Sequence, residues 1–317
     1  MRIRLFSVAL LLAIASHCLA QSSDLAQPVQ SPVIQSPVLD QTVRGFSSYT
    51  NFQGSHDSSS GWSTIVSSSV HYDFNKFFGV ELGVPFYLSH NGFNANVIAR
   101  GNNNPPLVAT YGSLGDTYLS LNFSAPGALG YRATITGTAP TGDTSSGIST
   151  GRATFDLNNH LEHSFGFFTP LVEFGIGDSS ALINRRVVRP YTTLGPLSHF
   201  KAGGGIDFLK YFNFQLTAYE DLPIGNQKVY SHEFVRSKNG NIIRLGADHK
   251  KHRFALVAVD TGQGILEDNG LIGVFGINLG KHVDLSATYN RSLRQSLNTV
   301  EFGIGYRFGK SAKVPVE

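Results

Sequence analysis

The sequence predicts an all-β fold, a closed antiparallel transmembrane β-barrel of 12–14 strands, and three observations carry that expectation. Apolar and polar residues alternate through segment after segment, charges keep to one of the two resulting faces, and short gaps between segments alternate with long ones. A strand points successive side chains to opposite faces, so this patterning gives each segment one oily face that must find an apolar surrounding. In the last such segment Val300, Phe302, Ile304, Tyr306 and Phe308 alternate with Glu301, Gly303, Gly305 and Arg307.

The start of the chain fits export. Arg2 and Arg4 precede an apolar run, Leu5 to Ala15, followed by small residues and Ala20. This is the order of a signal peptide, with a cut expected after Ala20. The run is too short to span a bilayer as a permanent helix. Cys18 follows Ala15-Ser16-His17, a poor acylation site, and a cut after Ala20 removes this only cysteine. Residues 21–42 are rich in Gln, Ser and Pro, and Gln30-Ser31-Pro32-Val33 is echoed by Gln35-Ser36-Pro37-Val38. Proline at that density opposes helix and central strand alike. The expected organisation is a signal peptide over 1–20, a disordered periplasmic tail or small lumen plug over 21–42, the barrel over 43–308 and a C-terminal tail over 309–317.

Composition narrows the class. Soluble domains carry about 25% charged residues; this chain carries 15%, with 34 glycines and 23 phenylalanines. Such a balance suits a closed sheet with lipid on one side. Loss of Arg2 and Arg4 with the signal leaves 23 basic against 22 acidic side chains, which gives no reason to expect nucleic acid as a partner.

From Val43 onward the alternation places strands at roughly 43–53, 62–74, 77–89, 115–124, 129–139, 153–164, 167–177, 198–208, 211–221, 240–249, 252–261, 269–279, 282–291 and 296–308. Tight connections such as Asn75-Lys76, 125–128, Phe165-Gly166, Leu209-Lys210, Lys250-Lys251 and Gly280-Lys281 alternate with longer ones at 54–61, 90–114, 140–152, 178–197, 222–238, 262–268 and 292–295. Short periplasmic turns and longer extracellular loops, with both chain ends on the periplasmic side, are the outer-membrane barrel plan.

Aromatics mark the short-turn side: Phe74, Phe77 and Phe78; Phe123 and Tyr131; Phe165, Phe167 and Phe168; Phe208, Tyr211 and Phe212. Aromatic rings favour the membrane interface, so these form a girdle, which the turns at 250–251 and 280–281 lack. Charge separates the faces. Outward tracks include Val66, Val70 and Tyr72; Phe78 to Leu88 by twos; Leu119, Leu121 and Phe123; Leu271 to Leu279; and Val283 to Tyr289. The opposite tracks hold Glu81, Asp116, Arg132, Asp156, Glu162, Glu173, Lys201, Asp207, Arg244, Asp248, Asp284, Glu301 and Arg307. A basic residue on the lipid face costs about 2–4 kcal/mol at the midplane, so the register is strongly fixed. Strand 252–261, apolar on both faces, fits least well. Pro85 and Pro170 fall inside strands of a sheet that has no edge, and so mark bulges or a misplaced boundary that would favour twelve strands. A soluble β-sandwich explains the alternation, but neither the low charge nor the girdle nor the loop rhythm.

The inward charges Glu81, Asp116, Arg132, Asp156, Glu162, Glu173, Lys201, Arg244, Glu301 and Arg307 are the pore-lining candidates, able to set ion preference. Because both signs are mixed, they also suit a network that neutralises itself and stiffens the wall. Arg185, Arg186 and Arg189, in a long loop, are placed to meet lipopolysaccharide phosphates or an anionic solute. Pro140-Thr141-Gly142-Asp143 has the look of a phosphate loop, but no Gly-Lys-Ser/Thr follows and a plain external loop is expected. Asn158, His160, Glu162 and Ser164 share one strand face, yet that face is the lumen and no nucleophile is marked, so no catalysis is expected. The histidines lack metal-ligand spacing, and neither metal nor cofactor is expected.

Several strings carry a family likeness: Gly83-Val84-Pro85-Phe86, Gly115-Asp116, Pro140-Thr141-Gly142-Asp143, Thr169-Pro170-Leu171-Val172-Glu173 and Gly305-Tyr306-Arg307-Phe308. Together they make Val43 to Phe308 resemble the outer-membrane barrel transporters grouped under the meta-pathway of phenol degradation. The chain departs from the simplest pattern by nine residues, Gly309 to Glu317, beyond the aromatic end. The resemblance implies a small barrel that passes compounds, hydrophobic or aromatic ones among them, passively across the bacterial outer membrane. The alternative is a non-conducting barrel with a structural or surface-binding role. Expected partners are outer-membrane lipid, lipopolysaccharide, a small solute and the barrel-assembly machinery.

Overall fold

The computed structural model describes residues 43–57, 61–93, 107–125, 129–142, 149–183, 191–208, 211–231, 234–236, 242–244, 257–261, 267–279, 282–294, 296, 298–309 and 312–313. In chain order the first strands are β1 (Val43–Asp57), β2 (Gly61–Asp73), β3 (Phe78–Phe93), β4 (Leu107–Leu114), β5 (Thr117–Ala125), β6 (Gly130–Ala139), β7 (Thr154–Glu162) and β8 (Phe168–Ser179). After a one-turn helix α1 (Ser180–Ile183) come β9 (Tyr191–Phe208), β10 (Phe212–Pro223), β11 (Gln227–Ser231), β12 (Phe234–Arg236), β13 (Ile242–Arg244) and β14 (Val257–Thr261). The series ends with β15 (Asp268–Leu279), β16 (Val283–Ser292), β17 (Asn298–Gly309) and β18 (Ala312–Lys313).

Twelve of these strands form a closed antiparallel ring: β1, β2, β3, β5 to β10, and β15 to β17. The first and last meet, with Ser47 opposite Gly309 and His56 opposite Val300. The ring also closes between β9 and β10, where Phe212 faces Phe208 and Pro223 faces Leu197. Closure pairs the backbone N–H and C=O groups of the wall, which a strand wall immersed in hydrocarbon requires. Three further strands extend the long-loop end: β4 continues along β3, β11 pairs with the upper part of β9, and β14 pairs with β11. At the other end β18 pairs with Val43 and Arg44.

Fourteen was the upper limit of the expected count, and twelve is the observed one. The described residues of segments 240–249 and 252–261 do not enter the ring, where β10 pairs directly with β15 from Phe212 opposite Ile277 to Asp221 opposite Asp268. Of the first segment, Ile242–Arg244 pairs with Phe234–Arg236 in a separate two-stranded sheet. Of the second, Val257–Thr261 pairs with β11 beside the rim. Arg244 is therefore not on a wall strand, contrary to expectation.

Burial is inverted relative to a water-soluble domain. Buried residues are mainly polar, including Ser47, Asn51 and Gln53 on β1 and Asn213, Gln215 and Thr217 on β10. Phe302 (56% exposed), Ile304 (55%), Leu121 (53%) and Leu82 (50%) stand on the outside. Apolar surface continuous around a ring far exceeds the few hundred Å² that a soluble monomer tolerates, so lipid is its solvent. This excludes the sandwich and places the chain in the bacterial outer membrane.

The girdle sits at the short turns as expected. Phe78 packs on Phe123 (5.3 Å between ring centroids), Phe123 on Tyr131 (6.3 Å), and Phe208 stacks on Phe212 (5.5 Å). The β15–β16 turn contributes no aromatic of its own, and β17 fills the gap: Tyr306 stacks on His282 and touches Phe308 at 4.3 Å. In the turn after β7, Gly166 adopts φ 71°, a left-handed conformation that glycine accepts without cost.

Both strand prolines sit where the ladder is already interrupted. Pro85 accepts the Gly115 N–H at 2.8 Å, so its missing N–H faces the break between β4 and β5. There two residues of β3 (84 and 85) oppose three (115–117), the signature of a bulge. Pro170 accepts the His163 N–H at 3.2 Å, just past the last β7–β8 pair, Glu162 opposite Leu171. Neither proline costs a ladder bond.

Candidate functional site

The candidate site is the lumen wall, and its two halves differ in chemistry. On β6 to β10 one row of directly opposed residues runs around the inside: Arg132, His160, Glu173, Lys201 and Tyr219. His160 bonds Glu173 at 3.2 Å through Nδ1 and Glu162 at 2.9 Å through Nε2, while Lys201 donates to Glu173. Glu162, Asp73, Glu173 and Glu81 all act electrostatically on Arg132. Glu173 is 2% exposed. Removing a carboxylate from water is tolerated when charge partners and hydrogen bonds surround it, and this row supplies both. Glu162, His160, Glu173 and Lys201 thus form one bonded network, with Arg132 and Glu81 within electrostatic reach of it.

The other candidates lie apart. Asp156 bonds His199 at 3.0 Å, and Arg307 pairs loosely with Asp284 at 3.8 Å. Glu301 faces the lumen from β17 and is 2% exposed. Asp116 stands at the long-loop rim, where it accepts the Gly142 N–H at 3.0 Å. Arg185, Arg186 and Arg189 lie outside the described residues, as do the segments expected to be signal peptide and N-terminal tail. The side chain of Arg244 is likewise outside them.

Three tyrosines recur in one arrangement that the charge pattern did not flag. Tyr118 donates its hydroxyl to Glu81 (2.8 Å), Tyr219 to Asp268 (3.0 Å) and Tyr49 to Asp284 (2.8 Å). Each lies across a glycine of the neighbouring strand: Gly83, Gly270 and Gly305 respectively. An acid two residues before a lumen-facing glycine, as in Glu81-Leu82-Gly83 and Asp268-Asn269-Gly270, is the sequence signal for two of them.

The rim strings also converge. The Thr141 hydroxyl accepts the Thr117 N–H (2.8 Å) and donates to the Gly115 carbonyl (2.8 Å), while the Gly115 N–H reaches Pro85. Pro140-Thr141-Gly142 therefore works as a clasp on the bulge, built from the same strings that carry the family likeness.

On β10, β16, β17 and β1 uncharged amides and hydroxyls lie between the inward charges Asp221, Asp284, Glu301 and Arg307. Asn51, Gln53, Asn213, Thr288 and Asn290 point inward, each buried, and Asn51 and Asn213 lie over glycines of neighbouring strands, Gly303 and Gly276. Sequence reading missed these residues because amides carry no charge to mark their face. Among the described residues no group of His, Cys, Asp and Glu is arranged to hold a metal ion.

No protein-family model matches the chain, and no curated protein matches it by sequence. Solved structures that share features of its shape include the NanC porin, with TM-score 0.46, 9% identity and coverage of 81% of this chain and 98% of that one. A second is the CymD monoaromatic hydrocarbon channel, with TM-score 0.37, 9% identity and coverage of 86% and 90%. A third is Salmonella typhi OmpF in complex with daunomycin, with TM-score 0.37, 7% identity and coverage of 86% and 99%. Likeness at this level carries no functional argument, which rests instead on the wall itself.

Proposed function

We propose that the chain is a narrow passive outer-membrane channel for small polar solutes. One observation carries the reading: around the closed ring the inward face is predominantly hydrogen-bonding, while the outward face is apolar. Eight strands leave an interior filled by side chains and sixteen to eighteen leave an aqueous channel, so twelve suit a constricted path. Inward glycines on β15 and β17 let neighbouring side chains such as Tyr219 and Tyr49 lie flat against the wall.

The hydrophobic or aromatic solutes implied by the phenol meta-pathway resemblance find less support in the wall. Among its described inward residues, aliphatics such as Ile65, Leu171 and Val274 are scattered between polar ones. An apolar solute that stripped water from a buried polar group would forfeit about 1–3 kcal/mol per group. No catalytic step is part of the reading. Lipopolysaccharide and the barrel-assembly machinery remain its proposed envelope partners.

A second reading is favoured by the deep burial of Glu173, Glu301 and Gln53: a closed, non-conducting barrel whose network braces the wall. Purified protein in planar bilayers separates the two. A reproducible conductance is expected, and its absence from protein that shows the heat-dependent gel shift of a folded barrel overturns the channel. Uptake of matched polyols and aromatic hydrocarbons by deletion and complemented cells then decides the solute class.

A further inference from the structure

We infer that the channel prefers small cations and that its short-turn mouth does the selecting, an inference that rests on the channel reading above. Among the described side chains, carboxylates face inward from every ring strand except β1, β5 and β6. Permanent cations face inward only as Arg132 on β6, Lys201 on β9 and Arg307 on β17. Strand alternation thus gives the lumen an acidic excess, and pairing decides whether the wall cancels it.

The wall strands do not cancel it. Each inward cation is already matched: Lys201 donates to Glu173, Arg307 pairs with Asp284, and Arg132 lies in the field of Glu162, Asp73, Glu173 and Glu81. The other carboxylates have ladder neighbours of a different kind. Asp156 meets His199, Asp207 lies opposite Asn213, Asp221 lies opposite Asp268, and Glu301 lies opposite Ser55 and Thr288. Cations outside the lumen stand on turns and rims. Lys76 covers the Phe77 ring, Arg152 pairs with Asp178, and Arg294 pairs with Glu267 and Glu220.

Most of this charge acts without contact. Glu173, Asp268 and Glu301 are too deeply buried to touch a solute, yet a charge in a low-dielectric wall is felt across a narrow path. Contact is left to the short-turn mouth. There the side chains of Asp73 (20% exposed), Glu162 (13%) and Asp284 (11%) are partly open, and Asp207 is exposed. They come from β2, β7, β16 and β9, so they stand around the mouth rather than at one point of it. Acidic side chains arranged around a pore favour cations, and the same field is a barrier to anions. Asp207 is the residue to change. Ile206 and Phe208 on either side of it point outward, so its carboxylate points into the mouth.

The test uses the full barrel in planar bilayers, with reversal potentials read across a KCl gradient. In dilute salt the expected preference for K⁺ over Cl⁻ is roughly tenfold, the lower end of the enrichment that a cleft of one sign gives. It should shrink in concentrated KCl, because the screening length falls from about 10 Å at 0.1 M to about 3 Å at 1 M. Asp207→Asn keeps the shape and removes one charge, and Asp207→Lys reverses it. The preference should drop roughly twofold in the first and roughly fourfold in the second. Should Asp207→Lys not fold, Asp207→Asn and the salt dependence of the wild type still decide. A wild-type reversal potential at zero, or of anion sign, overturns the inference and leaves the channel standing. A cation preference that the folded variants do not move overturns the mouth as its source. A folded wild-type barrel without conductance overturns the channel reading and this inference with it.

Discussion

The ring of Tyr118 fills the space that a side chain at residue 83 would occupy: a Cβ on Gly83 would lie 2.1 Å from Tyr118 Cζ. The two residues are directly opposed on β5 and β3, and the flattened ring carries its hydroxyl to Glu81. Glycine here is a steric requirement of the tyrosine, and the tyrosine is a hydrogen-bond donor to a carboxylate that is 7% exposed.

Two substitutions should therefore differ in size. Tyr118→Phe keeps the ring and deletes one donor to a buried carboxylate, an expected loss of about 1–3 kcal/mol. Gly83→Val forces the ring off the strand and breaks both packing and bond, so its loss should be the larger. Denaturant midpoints of the detergent-folded barrel check the order; equal midpoints for the two variants would show that the ring does not depend on Gly83.

The Glu173–Lys201 pair makes a separate prediction. Their side chains are 3% and 14% exposed, and each belongs to the row across β8 and β9. Lys201→Met removes a cation from beside a buried carboxylate and should cost about 3–5 kcal/mol. Glu173→Leu combined with Lys201→Met removes both charges and should recover much of that loss. A double-mutant cycle on unfolding free energies is the measurement, and additivity would show that the two charges do not act together.

The ring strands and their faces were legible because misplacing any one of them exposes charge to lipid. Leu119, Leu121 and Phe123 lie outside and Glu81, Arg132 and Glu301 inside, as alternation required. The row Arg132–His160–Glu173–Lys201 was legible only as separate charges. Which of them meet depends on the registers of three successive ladders, and period-2 patterning in one strand says nothing about its offset from the next. The tyrosine–glycine pairs and the amides were invisible for a related reason: neither carries charge, so neither marks a face. The excess strand pair failed differently. A short apolar strand at a rim and one in the wall share the same alternation, and only pairing of β10 with β15 separates them.

Position on the outer surface gives a third expectation. Ile304 is 55% exposed near the middle of β17, between the neighbouring strands β16 and β1. Ile304→Arg sets a cation in hydrocarbon and should cost about 2–4 kcal/mol, falling towards zero for an arginine close to either interface. Phe46, at the short-turn end of β1, is the matched control, and Phe46→Arg should be nearly neutral. Folding free energies in lipid vesicles read the difference. Equal costs at the two positions would mean that Ile304 does not face the bilayer core.

Excision of the β12–β13 hairpin tests the strand count directly. Phe234–Arg236 and Ile242–Arg244 pair with each other in their own sheet, while β10 reaches β15 without them. A strand of the wall cannot be deleted without leaving two open edges in hydrocarbon, each with unpaired N–H and C=O groups, and such a barrel would not fold. A hairpin outside the wall leaves the ladder intact when it is removed, and long loops contribute little to closure cost when shortened. Replacing residues 234–244 with a short Gly-Ser linker should therefore preserve the heat-dependent gel shift and the β-sheet circular dichroism of the parent. Loss of both in the shortened chain would return these segments to the wall and the count to fourteen.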